Sequence, residues 1–420
     1  MLRLGRSPFG VLAATLTIVL AVQAQTLSKS EWQNVYVVAA DRLISGEDIY
    51  QSGTNYLYPP LFALLAVPAA WVPEWASRLL WSCLSIPAMF AAILCAWRIA
   101  SGPAVNALKA SLRGESGAFA AGLVVGLTYF LNAASHQQTD LIIAGLVIGG
   151  ATLLATGRDA AGAASLALAS AAKATPLLWA PYLVWRGRWI ASFVVAGGTI
   201  ALNLLPELVA SPPEGGTWTG EWLTRFVLSS QQLNIAAGTW GSAIEYNQSL
   251  MGTLQRLIST VPGFMAPNGL VTEWPWLPAQ VVRGLGYLLM ASAITVSLAA
   301  SWRSRRAGPS SDDRPGRFAW EFSIVLTLML LMSPMSSRAH FGILILPAFC
   351  LARAWLTTRD RVCAVILAAV VPLTLVANKD PVGAFVYDAF LWVGATTFSA
   401  ILLWIGCVRA LWRTGGHRRS

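Results

Sequence analysis

The chain has 420 residues, 56% hydrophobic and only 11% charged, with a net charge of +10 and a mean hydropathy of +0.59. Ordinary soluble proteins carry roughly 25% charged residues, so this composition lacks the polar surface that a soluble enzyme needs. It points to a bilayer, where only helices and closed barrels satisfy every backbone polar group. Gly284–Trp302 and Ala389–Val408 are free of charge and close to the roughly 20 residues a helix needs to cross. Barrel strands would alternate in shorter segments. The fold class is therefore an all-α polytopic membrane protein, with a single integral membrane domain over residues 1–420. Much of the positive charge lies in short connections between apolar segments. Cytoplasmic retention of Lys and Arg accounts for it, and no nucleic-acid partner is implied.

In chain order, Arg3 and Arg6 precede an apolar segment at about 8–24, whose tail Ala21-Val22-Gln23-Ala24 resembles a signal-peptide cleavage site. Cleaved or retained, it delivers the next stretch to the outside. Residues 25–57 form a first outer loop; 31–44 have helical character, Tyr36, Ala40 and Leu43 share a face, and Gly46 ends the helix. Tyr58 to Val72 is apolar but short, opened by Pro59-Pro60 and interrupted by Pro68. If it crossed, Arg303, Arg305, Arg306, Arg314 and Arg317 would lie outside, against the positive-inside bias. It reads as a re-entrant or interfacial segment. Further spans fall at 79–97, 118–134, 140–156, 160–173, 175–185, 189–206, 279–301, 320–334, 341–356, 362–377 and 384–407, which with the first makes about twelve. The pair around 160–185 is short enough to be tilted or broken. A second long outer segment, 207–278, carries Pro212-Pro213 and several Trp and has room for interfacial helices. Both termini are cytoplasmic unless the first segment is cleaved, in a plasma (inner) membrane. Long loops carry function where short ones only connect, which places the chemistry outside.

The first outer loop supplies Glu31, Asp41, Glu47 and Asp48. A carboxylate beside a proline-kinked membrane segment can act as a general base or simply solvate the loop. The acids at 47 and 48 can hold a divalent cation or nothing, so metal dependence stays open. Three His and five Cys show no metal-ligand spacing, and no metal site is assigned.

Several motifs share an order. Ala39-Ala40-Asp41-Arg42-Leu43-Ile44-Ser45-Gly46-Glu47-Asp48-Ile49-Tyr50 is followed by Tyr58-Pro59-Pro60-Leu61-Phe62. Then come His136-Gln137-Gln138-Thr139-Asp140, Lys173-Ala174-Thr175-Pro176, Asn247-Gln248-Ser249-Leu250-Met251-Gly252 with Arg256, and Ser333-Pro334-Met335-Ser336-Ser337-Arg338-Ala339-His340. The ordered set, over about residues 30–355, resembles glycosyltransferase family 87, the polyprenyl-phosphate-mannose-dependent alpha-mannosyltransferases of the C-type membrane superfamily. The resemblance implies a C-type glycosyltransferase fold and transfer of a hexose, most often mannose, from a polyprenyl-phosphate-linked donor to an acceptor hydroxyl, with inversion. The partners implied are the bilayer, the lipid-linked sugar donor and an acceptor glycan or lipid. No cofactor is implied beyond the donor itself.

That reaction needs a base at the acceptor oxygen and cations at the leaving phosphate. The family's catalytic Asp lies shortly before the tyrosine matching Tyr36. Here that neighbourhood is Glu31-Trp32-Gln33, so Glu31 is the substitute base, with Asp41 and Asp48 in reserve. Lys173, Arg256, Arg338 and His340 are the candidate phosphate ligands. Three of them have a plainer reading: a snorkelling Lys173, a surface ion pair for Arg256, a helix cap for His340. Gln137, Gln138, Asp140, Asn247 and Gln248 are candidate sugar or acceptor ligands, although Asp140 is equally a helix cap. A secondary transporter of a small or lipid-linked substrate is the rival class, but no paired halves are seen. A catalytically degenerate homologue is the third reading, motivated by the missing Asp.

Overall fold

The computed structural model describes residues 8–27, 29–51, 53, 55–101, 116–228, 244–259, 277–306 and 316–414. Among them the structure is helical, with one isolated bridge between Ser259 and Leu277. The helices are α1 (Pro8–Thr26), α2 (Val38–Ser45, preceded by a π-helical turn Trp32–Val37), α3 (Leu61–Ala70), α4 (Glu74–Ser101), α5 (Ser116–Ser135), α6 (Asp140–Ala155) and α7 (Asp159–Ala172). There follow a 3-10 turn Thr175–Leu178 leading into α8 (Trp179–Trp185), α9 (Trp189–Asn203), α10 (Trp218–Trp222) and α11 (Leu250–Ile258). The last group is α12 (Ala279–Arg306), α13 (Arg317–Met332), a 3-10 stretch Arg338–Leu344 running into α14 (Ile345–Thr358), α15 (Arg361–Val376), α16 (Lys379–Val393) and α17 (Ala395–Thr414).

Every segment read as a span is helical, but the number twelve is not reached by length. Among the described residues six helices are long and apolar enough to cross a bilayer, or seven if the bent pair at 361–393 is one span. One further detail departs from the sequence reading. The expected span 384–407 is broken at Gly394, which has φ +92°, and a Cβ there would meet the Thr253 Cγ2 at 2.4 Å. α16 is instead bent by 107° from α15. A second break separates α7 from α8, where Lys173 has extended backbone, φ −152° and ψ 115°, in line with the broken pair expected around 160–185.

Close helix contacts set which residues share an end of the bundle. α6 and α7 are joined by a three-residue turn and cross where Gly150 and Gly162 leave no room for a side chain, since each Cβ would lie within 3.0 Å of the other's carbonyl oxygen. Small residues at a crossing let membrane helices approach this closely. From that crossing, Asp140 and Lys173 are ten and eleven residues away along antiparallel helices, about 15 and 16 Å at 1.5 Å per residue. They therefore arrive together. The far end of the same hairpin carries Asp159 paired with Arg188 at 3.1 Å, and beyond it Arg186 with Glu321 at 3.3 Å and Arg409 with Asp360 at 2.8 Å.

The short segment α3 starts and finishes at the Asp140 end. Its first N–H, that of Leu61, donates to the Asn203 side chain at the close of α9, and the Ala63 N–H donates to the Tyr56 hydroxyl. Those two bonds satisfy first-turn donors that no helix can satisfy internally. After a three-residue turn α4 begins, and its Arg78 donates to the carbonyls of Ala24 and Leu27. A helix with both ends on one side of the bundle is a dip or an interfacial segment. α16 repeats the arrangement: Asn378 before it bonds Arg338, and the Leu391 carbonyl near its end accepts from Gln248. Of the outer segment expected at 207–278, the described parts form α10, a π turn at Leu223–Leu228 and α11. Residues 229–243 and 260–276, together with Arg3, Arg6 and Arg314, lie outside the described residues.

Candidate active site

The α6–α7 hairpin delivers the centre of the site. The Lys173 Nζ donates to Asp140 Oδ1 at 2.7 Å, with side chains only 11% and 6% exposed. His340 Nε2 stands 3.8 Å from the same oxygen. The other oxygen, Asp140 Oδ2, is buried without a hydrogen-bond partner among the described residues. Lys173 also lies over the Tyr58 ring, 5.4 Å from its centroid, so the cation is met by a carboxylate on one side and a π face on another. Asp140, Lys173, Thr175, Ser336 and His340 line a narrow pocket closed by Ile143, Val147, Met329 and Leu330.

The turn between α5 and α6 brings in the first loop. α5 closes with paired bonds from Gln138 N–H to the Ala133 carbonyl and from Gln137 N–H to that of Ala134. This closure puts a left-handed residue where glycine is usual, yet the residue is Gln137, at φ +53°. Its side chain explains the exception: the amide donates to the Ala24 carbonyl at 2.7 Å and accepts from Ser30, entirely buried. The tie pins the loop so that Gln138 Nε2 donates to Glu31 Oε1 at 2.7 Å. Burial pushes the Glu31 carboxyl above its ordinary 4.5, although the Gln138 bond and the charge of His136 oppose the shift. Next to it Tyr36 meets the Thr139 hydroxyl at 3.0 Å and packs on Tyr58, ring centroids 5.0 Å apart. Burial, with the nearby carboxylates, raises both phenols far above their usual range, so they stay protonated.

The structure thus gathers Glu31, Gln137, Gln138, Asp140, Lys173 and His340, while the remaining candidates stand elsewhere. Asp41 is exposed on α2. Asp48 caps the Tyr50 N–H with one oxygen and pairs with Arg225 at 2.9 Å through the other. It folds the loop, as does Arg42, which donates to the Asp48 carbonyl. Arg256 is buried and gives hydrogen bonds to the carbonyls of Ile244, Asn247 and Trp392. The Asn247 carboxamide accepts from the Ser249 and Ser336 N–H groups, and Gln248 donates to the Glu245 and Leu391 carbonyls. These three residues staple α11 to the 333–337 turn and to the end of α16. Arg338 faces Tyr387 and Asn378. Tyr36, Tyr58, Thr139 and Ser30 join the site without having been singled out. Tyr58 had a visible signal, its place directly before Pro59-Pro60. Among the described residues no group of three His, Cys, Asp or Glu is placed to hold a metal ion.

Fold and site together define a polytopic helical membrane protein with a buried, charged, hydrogen-bonded centre at one end of its bundle. The chain belongs to glycosyltransferase family 87, whose model matches residues 56–334, and is a membrane glycosyltransferase. The match includes Asp140, Lys173 and Arg256 and stops short of Glu31, Arg338 and His340. Among solved structures, ArnT from Cupriavidus metallidurans bound to undecaprenyl phosphate is similar at 15% identity and a TM-score of 0.40, covering 97% of this chain and 77% of that one. The apo state of the same protein matches at 14% identity and the same TM-score of 0.40. No curated protein sequence matches.

Proposed function

We propose that the protein transfers a hexose, mannose in the first instance, from a polyprenyl-phosphate carrier to an acceptor hydroxyl on the non-cytoplasmic face, with inversion. The observation that carries this reading is the convergence of a half-buried carboxylate, Glu31, with a buried Lys173–Asp140–His340 cluster at one end of the bundle. Glu31 takes the proton from the acceptor oxygen. Its raised proton affinity suits a base better than an exposed acid would. Lys173 and His340 face the phosphate oxygens on which charge develops as the sugar departs, and Asp140 holds both in place. Asp140 Oδ2 and Gln138 Oε1, which have no partner among the described residues, are acceptors suited to sugar hydroxyls. The opposite end carries Arg186, Arg188, Arg409 and Arg413, which the positive-inside rule assigns to the cytoplasm of a plasma membrane. No divalent metal enters this scheme.

The test is transfer in isolated membranes. Label from polyprenyl-phosphate mannose should enter an acceptor fraction with wild type, and Glu31→Gln should reduce the rate roughly 10²- to 10⁴-fold while folded protein is retained. Transfer unchanged in Glu31→Gln removes Glu31 from the role. No transfer from any polyprenyl-phosphate sugar, with solute accumulating in vesicles, would favour transport instead.

A further inference from the structure

Buried cations at the site end are met in different ways. Lys173 has Asp140, Arg78 has Glu74, and Arg256 has three backbone carbonyls. Arg338 has fewer acceptors and a donor to spare. It is 7% exposed, and its guanidinium, which cannot shed its charge, meets only neutral groups among the described residues: Nη1 donates to the Tyr387 hydroxyl at 2.9 Å and Nη2 to the Asn378 carboxamide oxygen at 2.5 Å. The Tyr387 ring lies 5.1 Å below the guanidinium carbon, and Nε is buried with no partner among the described residues. No hydrogen bond or ion pair links Arg338 to Asp140, Lys173 or His340, although it stands two residues from His340. A buried fork with a spare donor, an aromatic floor and no carboxylate is half of an anion site.

We infer that Arg338, held by Asn378 and Tyr387, forms a second anion subsite that takes a lipid-borne phosphate and is separate from the Lys173–His340 cluster. The inference rests on the lipid-linked reaction proposed above. Asn378 and Tyr387 are positioning residues: they fix the guanidinium plane from the α15–α16 bend, beyond the 56–334 stretch that matches the family. Two phosphates fit the chemistry. One belongs to the polyprenyl carrier once it has given up its sugar and left the Lys173–His340 cluster, the other to an anionic acceptor lipid.

Binding without turnover tests the subsite apart from the reaction. Purified full-length protein in neutral detergent is titrated with undecaprenyl phosphate, with uncharged undecaprenol as control, and separately with phosphatidylglycerol in mixed micelles; thermal stability is the readout. Undecaprenyl phosphate but not undecaprenol should raise Tm. Tyr387→Phe, which keeps the ring and removes the hydroxyl, should weaken that binding several-fold. Arg338→Gln should weaken it by about tenfold or more, and Arg338→Lys should fail to restore it because the planar fork is lost. Wild-type protein that binds undecaprenyl phosphate but transfers no sugar from any polyprenyl-phosphate donor would sink the proposed reaction and spare the subsite. A response to phosphatidylglycerol alone, lost in Tyr387→Phe, assigns the subsite to the acceptor. If Tyr387→Phe and Arg338→Gln, both folded, bind either phosphate lipid like wild type, the subsite does not exist.

Discussion

Lys173→Met is the sharpest perturbation of the centre. The substitution keeps the length of the side chain and removes the charge that Asp140 meets at 2.7 Å, where the carboxylate is 6% exposed. Removing one member of a buried pair leaves the other uncompensated, at a cost of about 3–5 kcal/mol. His340, 3.8 Å away, can take up a proton and carry part of that load, which places the loss near the lower end, about 3 kcal/mol. Asp140→Asn in the same background removes the stranded charge, and a neutral pair of similar volume restores most of the stability. The coupling between the two positions is then at least about 2 kcal/mol, within the range for residues in one network. Unfolding by SDS in mixed micelles, followed by the fluorescence of the 19 Trp, measures all four corners of the cycle. A single mutant that loses less than about 1 kcal/mol, or a double mutant no better than Lys173→Met, refutes the claim that this pair is a desolvated ion pair.

Three further outcomes are open to direct measurement. Because only the carboxylate form of Glu31 accepts a proton and burial raises its affinity, transfer should fall as pH drops through a value above 4.5; an acid limb at or below 4.5 in the pH–rate profile contradicts this. Asp360 caps α15 through the Val362 N–H and pairs with Arg409 and Arg413, and these contacts outweigh burial and hold its carboxyl below the usual range. With a depressed folded pKa, its stabilisation is present above about pH 4 and is lost as pH falls through the folded value; Asp360→Ala should lose roughly 1 kcal/mol at neutral pH and nothing in strong acid. Gly394→Ala combines a left-handed backbone at φ +92° with a Cβ 2.4 Å from Thr253 Cγ2, and should lose about 1–3 kcal/mol. Thr253→Ser in that background removes the clashing methyl and should return part of the loss; a fully stable Gly394→Ala would show that the α16–α17 corner yields freely.

Charge-free length and Arg placement made the helical membrane class legible, and the two prolines before Leu61 marked α3 as a segment that turns back. The Gly46 stop was legible too, since the left-handed φ of 70° there is one that other residues resist. The contents of the site were less so. Gln137 looked like a sugar ligand because its side chain is polar. Its role in the fold depends on a carbonyl at Ala24 and a hydroxyl at Ser30 more than one hundred positions away, which no local pattern displays. Arg256, Asn247 and Gln248 are similar cases: a buried polar side chain serves a ligand or a loop, and only the partner decides. The break at Gly394 was hidden because Ala389–Val408 is free of charge and mostly apolar, and hydropathy does not register a bend.

Glu31 as the proposed base raises a geometric question that the π-helical turn answers. Glu31 stands five positions before Tyr36, which packs on Tyr58 beside Lys173. In an α-helix, residues five apart point about 140° away from each other, and Glu31 would turn from the site. The stretch Trp32–Val37 is π-helical instead, with i→i+5 bonding that brings residues five apart close to alignment. In the proposed reaction, one extra residue per turn would let a glutamate stand where the resemblance places an aspartate nearer the tyrosine. The extra methylene of Glu supplies reach to Gln138. If this is the reason for Glu at 31, Glu31→Asp keeps the charge but shortens the reach, and should lose most of the transfer rate while retaining the fold. A Glu31→Asp protein as active as wild type would show that side-chain reach is not what the π turn accommodates.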